Sequence, residues 1–122
     1  MELSTELMQA RRLMNRLGIT ANYTGYHHAA HAVMLSAHEP ERLLLVTKWI
    51  YPDVAKQYRT TWRGVERNIR TVSKLAWEKN RAELERMAQH TLPSRPSAGV
   101  FLAILATHVQ LEQSNRAAPP EG

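Results

Sequence analysis

Apolar residues recur at helical spacing along most of this chain. Leu3, Leu7, Ala10, Met14 and Leu17 form one stripe, which predicts a helix over about Thr5–Leu17. Ser4 suits its N-cap and Gly18 its C-cap. Tyr26, Ala29, Ala30, Val33 and Ala37 predict a second helix over about Gly25–Ala37. Pro40 fits the first turn of a third, about Glu41–Tyr51. Its stretch Leu43–Val46 is apolar all round, which predicts a central, buried element. Pro52 breaks that helix and opens two short turns through Tyr58. Trp62, Val65, Ile69, Val72 and Ala76 then recur at spacings of 3, 4, 3 and 4. They mark a long helix from Thr61, its cap, to about Trp77. Residues Trp77–Asn80 end it, and Arg81–His90 forms another helix with Leu84, Met87 and Ala88 inward. Thr91–Ala98, with two Pro and two Ser, reads as loop. The last helix, about Ala98–Gln113, buries Phe101, Leu102, Leu105 and Val109, and 114–122 reads as a flexible Ala/Pro-rich tail.

These elements amount to an all-α, compact bundle of about six helices, a single domain over residues 1–122. Only five Gly are present and no alternating β-branched run stands out. The absence of Cys excludes a disulfide framework and a thiolate metal site, and it fits a cytoplasmic setting. No apolar run reaches the 18 residues that a membrane span needs. The first 20 residues have no continuous apolar stretch of the signal-peptide kind. The formal charge of +5 favours an anionic partner.

That charge is arranged. Arg63, Arg67, Arg70 and Lys74 recur at spacings of 4, 3 and 4 on the face of the long helix away from its apolar stripe. Four cations in line are shaped to meet phosphates or guanine edges. The short helical segment before them makes the pair a helix-turn-helix. Val54 and Ala55 brace it, and Arg59-Thr60-Thr61 is the turn. Arg63, Glu66 and Arg67 project from the N-terminal half as base-reading candidates. Arg can donate two bonds to guanine O6 and N7, and Glu can accept from cytosine N4. Lys56, Arg70 and Lys74 are phosphate candidates, with Thr60 and Thr61 adding hydroxyl and backbone N–H donors at the helix start. The blander assignment for Glu66 is an ion pair with Arg70 at i+4. For Trp62 it is an anchor packed beneath the turn.

His27 and His31 stand at i, i+4, a spacing that can hold a metal ion. No Glu occupies the second position of that HxxxH pair, so the metalloprotease pattern is missing. The alternative is partly exposed helix histidines. No Ser-His-Asp or Cys-His arrangement and no Gly-rich phosphate loop appears, so neither an enzyme nor a cofactor is expected.

The stretch Ile50–Trp77, IYPDVAKQYRTTWRGVERNIRTVSKLAW, resembles the DNA-binding domain of the bacterial sporulation transcription factor Spo-zero-A family. YPDVAK followed by TT, VER, IR and AW carries the likeness. Gly18-Ile19, Gly25-Tyr26, Thr47-Lys48 and Phe101–Glu112 extend it. The resemblance implies a six-helix effector domain that binds a TGTCGAA-type heptamer, often as tandem dimers, and regulates transcription as sporulation begins. It implies recognition-helix roles for Glu66, Arg67 and Arg70. It also implies a contact of the Arg81–His90 region with an RNA polymerase sigma factor. Where the family has Ser-Arg before VER, this chain has Arg63-Gly64. A base-reading Arg is thus replaced by Gly64, and Arg63 leaves the helix about 100° away. A helix interior needs no Gly, so Arg at position 64 is expected to be accepted. The family's phosphorylated receiver domain is not expected in this chain.

The leading expectation is a sequence-specific DNA-binding regulator with its recognition helix at about 61–77. One alternative is an interaction protein with impaired DNA specificity that modulates a full-length regulator through mixed dimers. The other is a metal-binding helical protein centred on His27 and His31.

Overall fold

The computed structural model describes residues 2–117, with side chains over 5–115. The expected N-cap at Ser4 is corrected: α1 already begins at Glu2, so Ser4 lies within the helix. The tail from 118 onward lies outside what is described. Among the described residues there are helices and no strands: α1 (Glu2–Arg16), α2 (Thr24–His38), a 3-10 helix (Pro40–Leu45), α3 (Val46–Trp49), α4 (Tyr51–Gln57), α5 (Trp62–Ala88) and α6 (Ala98–Ala117). The architecture is an all-α bundle, and α6 continues helical past the break expected at Ser114.

Helix α1 buries Ala10, Leu13, Met14 and Leu17. It ends where Gly18 adopts a left-handed φ of 83°. There Ile19 N–H donates to Met14 O and Gly18 N–H to Asn15 O, both at 3.0 Å. This pair of bonds satisfies carbonyls left open at the helix end. Ile19 then seats its side chain in the core.

The central element is α2, packed by α1, α5 and α6. Ten of its fifteen residues are buried, so it is covered on more than one face. Its small residues let neighbouring helices approach closely. At Gly25 the approach is closest: a Cβ there would stand 2.2 Å from Asn68 O and 2.8 Å from Val72 Cγ1 of α5.

The segment expected to be central is peripheral. Residues 40–45 form a 3-10 helix and only Val46–Trp49 continues as α-helix. Leu44 is 83% exposed, and Leu45 and Trp49 are also exposed. The physical reason is the tighter winding after Pro40, which gives no continuous apolar face. Leu43 and Val46 lean on the core while Leu44 and Leu45 point outward. Arg42 ties the segment down by bonding Trp49 O and pairing with Asp53 of α4.

Helix α5 is bent at Asn80, whose φ of −147° and ψ of 52° leave the helical region. The Asn80 amide donates instead to Arg16 O at the end of α1, at 3.3 Å. Arg16 pairs with Glu83 at 2.6 Å just beyond the bend. The two helices expected on either side of Trp77–Asn80 are therefore the two arms of α5. The following loop is pinned by Arg81 to Leu92 O at 3.0 Å and by Leu92 N–H to Glu85 at 2.7 Å. Buried Ser73 donates to Pro96 O at 2.9 Å.

Candidate nucleic-acid interface

The sequence places a short helix, a tight turn and a long helix in succession, and the structure packs them as a unit. Val54 and Ala55 of α4 are buried and face α5, as a brace requires. Helix α4 ends in a left-handed residue that is not glycine: Arg59 has φ 54°. Thr60 N–H then bonds back to Ala55 O at 2.9 Å. The turn is thus set by backbone geometry before the recognition helix begins. Thr61 caps that helix, its Oγ1 accepting from Gly64 N–H at 3.0 Å. Because Thr60 N–H is engaged, Thr60 offers an incoming phosphate its hydroxyl alone, not the backbone donor expected from sequence.

The buried side of α5 is Val65, Ile69, Val72, Ser73 and Ala76. Opposite it Arg63, Arg67, Arg70 and Lys74 are all exposed. At about 100° per residue they fall within roughly 60° of arc. Lys56, Thr60 and Thr61 are exposed at the α4–α5 end of the same region.

Their local settings differ. The Arg63 guanidinium lies over the Trp62 ring, 5.2 Å from its centroid, a cation–π arrangement that orients the fork. Trp62 itself is 36% exposed. The expectation that it packs beneath the turn is corrected: Trp62 is the first residue of α5, outside the packed core, and its ring serves as a platform for Arg63. Glu66 accepts from Arg70 at 2.8 Å, the i, i+4 pairing foreseen as the blander assignment. A base would have to compete with Arg70 for that carboxylate.

Gly64 is buried, against expectation. A Cβ there would lie 3.1 Å from Thr60 Oγ1 and 3.2 Å from Thr61 Oγ1, with Arg67 Nη2 at 3.9 Å. The turn folds its hydroxyls over this position. An Arg at 64 is therefore accepted only if the Thr60 hydroxyl and the Thr61 cap hydroxyl both give by a few tenths of an ångström. The vacant space is bordered by the Arg67 guanidinium.

The histidines face elsewhere. His27 Nε2 lies 2.8 Å from Ala21 O, and His31 packs edge-on against Tyr58, ring centroids 5.7 Å apart. His28, buried beside them, meets the Tyr58 ring at a tilt, centroids 5.1 Å apart, and the Asn68 amide at 3.5 Å. Burial holds the imidazoles of His28 and His31 below their usual range. His27 adds to that effect at His28, and Asp53 opposes it at His31. These rings wedge α4 against α2, behind the interface.

Beside the basic stripe lies a cavity of about 480 Å³ that periodicity did not reveal. It is lined by Tyr51, Glu66, Arg70 and the Arg95–Gly99 segment. Its residues are far apart in sequence, and only the fold assembles them. Burial, with the Glu66 charge, pushes the Tyr51 hydroxyl up to about 12, partly offset by Arg70.

No described helix is long and apolar enough to cross a membrane. A family model described as "Sporulation initiation factor Spo0A C terminal" matches residues 10–109. The match runs from the middle of α1 into α6 and takes in the whole helix-turn-helix unit.

Proposed function

The chain belongs to the sporulation initiation factor Spo0A C-terminal family, and we propose that it regulates transcription by laying the first arm of α5 in the DNA major groove. The family is one of DNA-binding regulatory domains, not of enzymes. The observation that carries the finer reading is the register of Arg63, Arg67, Arg70 and Lys74 on the exposed side of a helix braced and capped as a recognition helix. Arg63 and Arg67 present forks for guanine edges, and Glu66 presents an acceptor for a cytosine amino group. Lys56, Thr60, Thr61, Arg70 and Lys74 fix the helix on the backbone. Binding in pairs to tandem sites, contact of the second arm of α5 with a sigma factor, and a cytoplasmic location complete the reading.

Selection from a random duplex pool tests it. An enriched heptamer supports sequence-specific regulation. Retention of duplexes with no enriched motif favours the second reading, a partner of a full-length regulator with impaired specificity. Gly64, at a position where the family reads a base, is the feature behind that alternative. Failure to retain any duplex rejects the proposal.

A further inference from the structure

The cavity beside the stripe joins three features, each suited to an anion. The first is the N-terminus of α6, a helix of 20 residues. Ser97 caps it by accepting from Val100 N–H at 3.2 Å. Ala98 and Gly99 line the cavity, and their N–H groups precede the first intrahelical bond. The second is a pair of guanidiniums, Arg70 from α5 and Arg95 from the loop before α6. The third is Tyr51. Its side chain is only 1% exposed, it lines the cavity, and its hydroxyl makes no hydrogen bond among the described residues.

The wall carries two cations and one carboxylate, Glu66, whose charge Arg70 already matches. Arg95 and the helix dipole are then in excess, so the cavity favours a negative ligand. The loop is held in place by the buried Ser73–Pro96 bond, which fixes where Arg95 starts. Gly99 leaves the rim low, its nearest neighbour to an added Cβ being Val46 Cγ2 at 3.7 Å.

We propose that this cavity is a phosphate-binding site formed by Arg70, Arg95, the Tyr51 hydroxyl and the N-terminus of α6, and that a backbone phosphate of bound duplex fills it. The choice of duplex as the source rests on the DNA-binding reading above. The site flanks the recognition helix on the Glu66 side of the basic stripe. A phosphate in the cavity accepts from the two guanidiniums, the tyrosine hydroxyl and the α6 amides. It also gives a hydroxyl that the protein leaves unpartnered an acceptor.

Two measurements on the full chain test this. In the first, inorganic phosphate is titrated into the free protein while backbone amides are followed by NMR. Saturable shifts are expected at Ala98 and Gly99, and they should vanish in Arg95→Gln. In the second, duplex affinity is measured against salt. Arg95→Gln should flatten the slope of log K against log salt by about 1. Tyr51→Phe keeps the ring and should weaken binding about two- to tenfold with the slope unchanged. A flattened slope in Arg95→Gln supports the duplex as the source, with or without a response to free phosphate. Amide shifts with duplex binding untouched by either variant support the site but assign it to a free phosphate ligand. Amide shifts in a protein that binds no duplex keep the site and sink the DNA reading. No amide shifts, together with no effect of either variant on duplex binding, would overturn the proposal.

Discussion

Gly25 and Gly99 occupy the same place in their helices, the second helical residue of α2 and of α6, but meet different surroundings. At Gly25 an added methyl would collide with backbone. Asn68 O lies at 2.2 Å and Asn68 C at 2.9 Å, with Val72 Cγ1 at 2.8 Å. Carbon contacts relax at about 3.5–4.0 Å, so α2 and α5 must part by about 1 Å or more. Overpacking of this kind costs about 1–3 kcal/mol. A backbone obstacle cannot rotate away, which puts Gly25→Ala toward the upper half of that range. At Gly99 the nearest atom stands at 3.7 Å, an ordinary contact. Both substitutions gain the same helix propensity, at most about 1 kcal/mol, so it cancels between them. The expected difference is about 2 kcal/mol, with Gly99→Ala neutral or slightly more stable than wild type. In urea the Gly25→Ala midpoint should fall with the m-value unchanged. Its Tm should fall about 6–10 °C below that of Gly99→Ala. Equal stabilities in the two variants would refute the close α2–α5 contact, and with it the placement of the recognition helix on the bundle.

Three further outcomes follow from the same geometry. Arg67→Ala should cost about 1–3 kcal/mol on the preferred duplex and relax one base position, whereas Lys74→Ala should weaken all duplexes alike; competition binding with single-base variants separates the two. Arg59→Gly should raise stability by about 0.5–1 kcal/mol, because a left-handed backbone at φ 54° strains Arg more than Gly, as thermal melts will show. His28 and His31 are held below the usual imidazole range. Stability should therefore be full above about pH 6.5 and decline as pH falls below it, where the unfolded chain takes up protons that the folded one does not. Urea midpoints at pH 7.5 and 5.5 should show the decline, smaller in His28→Gln.

The elements that were legible in sequence have one apolar face and one polar face. Helix α1 and the first arm of α5 show the period clearly because each lies on the surface of the bundle. The Gly18 end of α1, the Thr61 cap and the bend near Asn80 were legible because their chemistry is local. Helix α2 was located, but its central role was hidden. It is rich in alanine and buried on several sides, so it lacks a strong contrast between faces. The centre was instead expected at Leu43–Val46, since density of apolar residues was read as burial. A 3-10 winding turned Leu44 and Leu45 outward. At the interface, the cationic register was visible because it lies on one helix. The seclusion of Gly64 depends on how the preceding turn folds back. The cavity depends on residues 51, 66, 70 and 95–99 meeting across three segments, and no periodicity reports such a meeting.

The central claim is that the exposed stripe of α5 engages duplex DNA. The measurement that tests it most directly is the salt dependence of duplex affinity, followed by fluorescence anisotropy with the family-type heptamer and a scrambled duplex. Lys56, Arg70 and Lys74 as backbone contacts, with Arg95 at the flanking cavity, predict a slope of log K against log salt of about −3 to −4 on both duplexes, with tighter binding to the heptamer. Affinity that stays flat from low to moderate salt, or no binding to either duplex, would contradict the account.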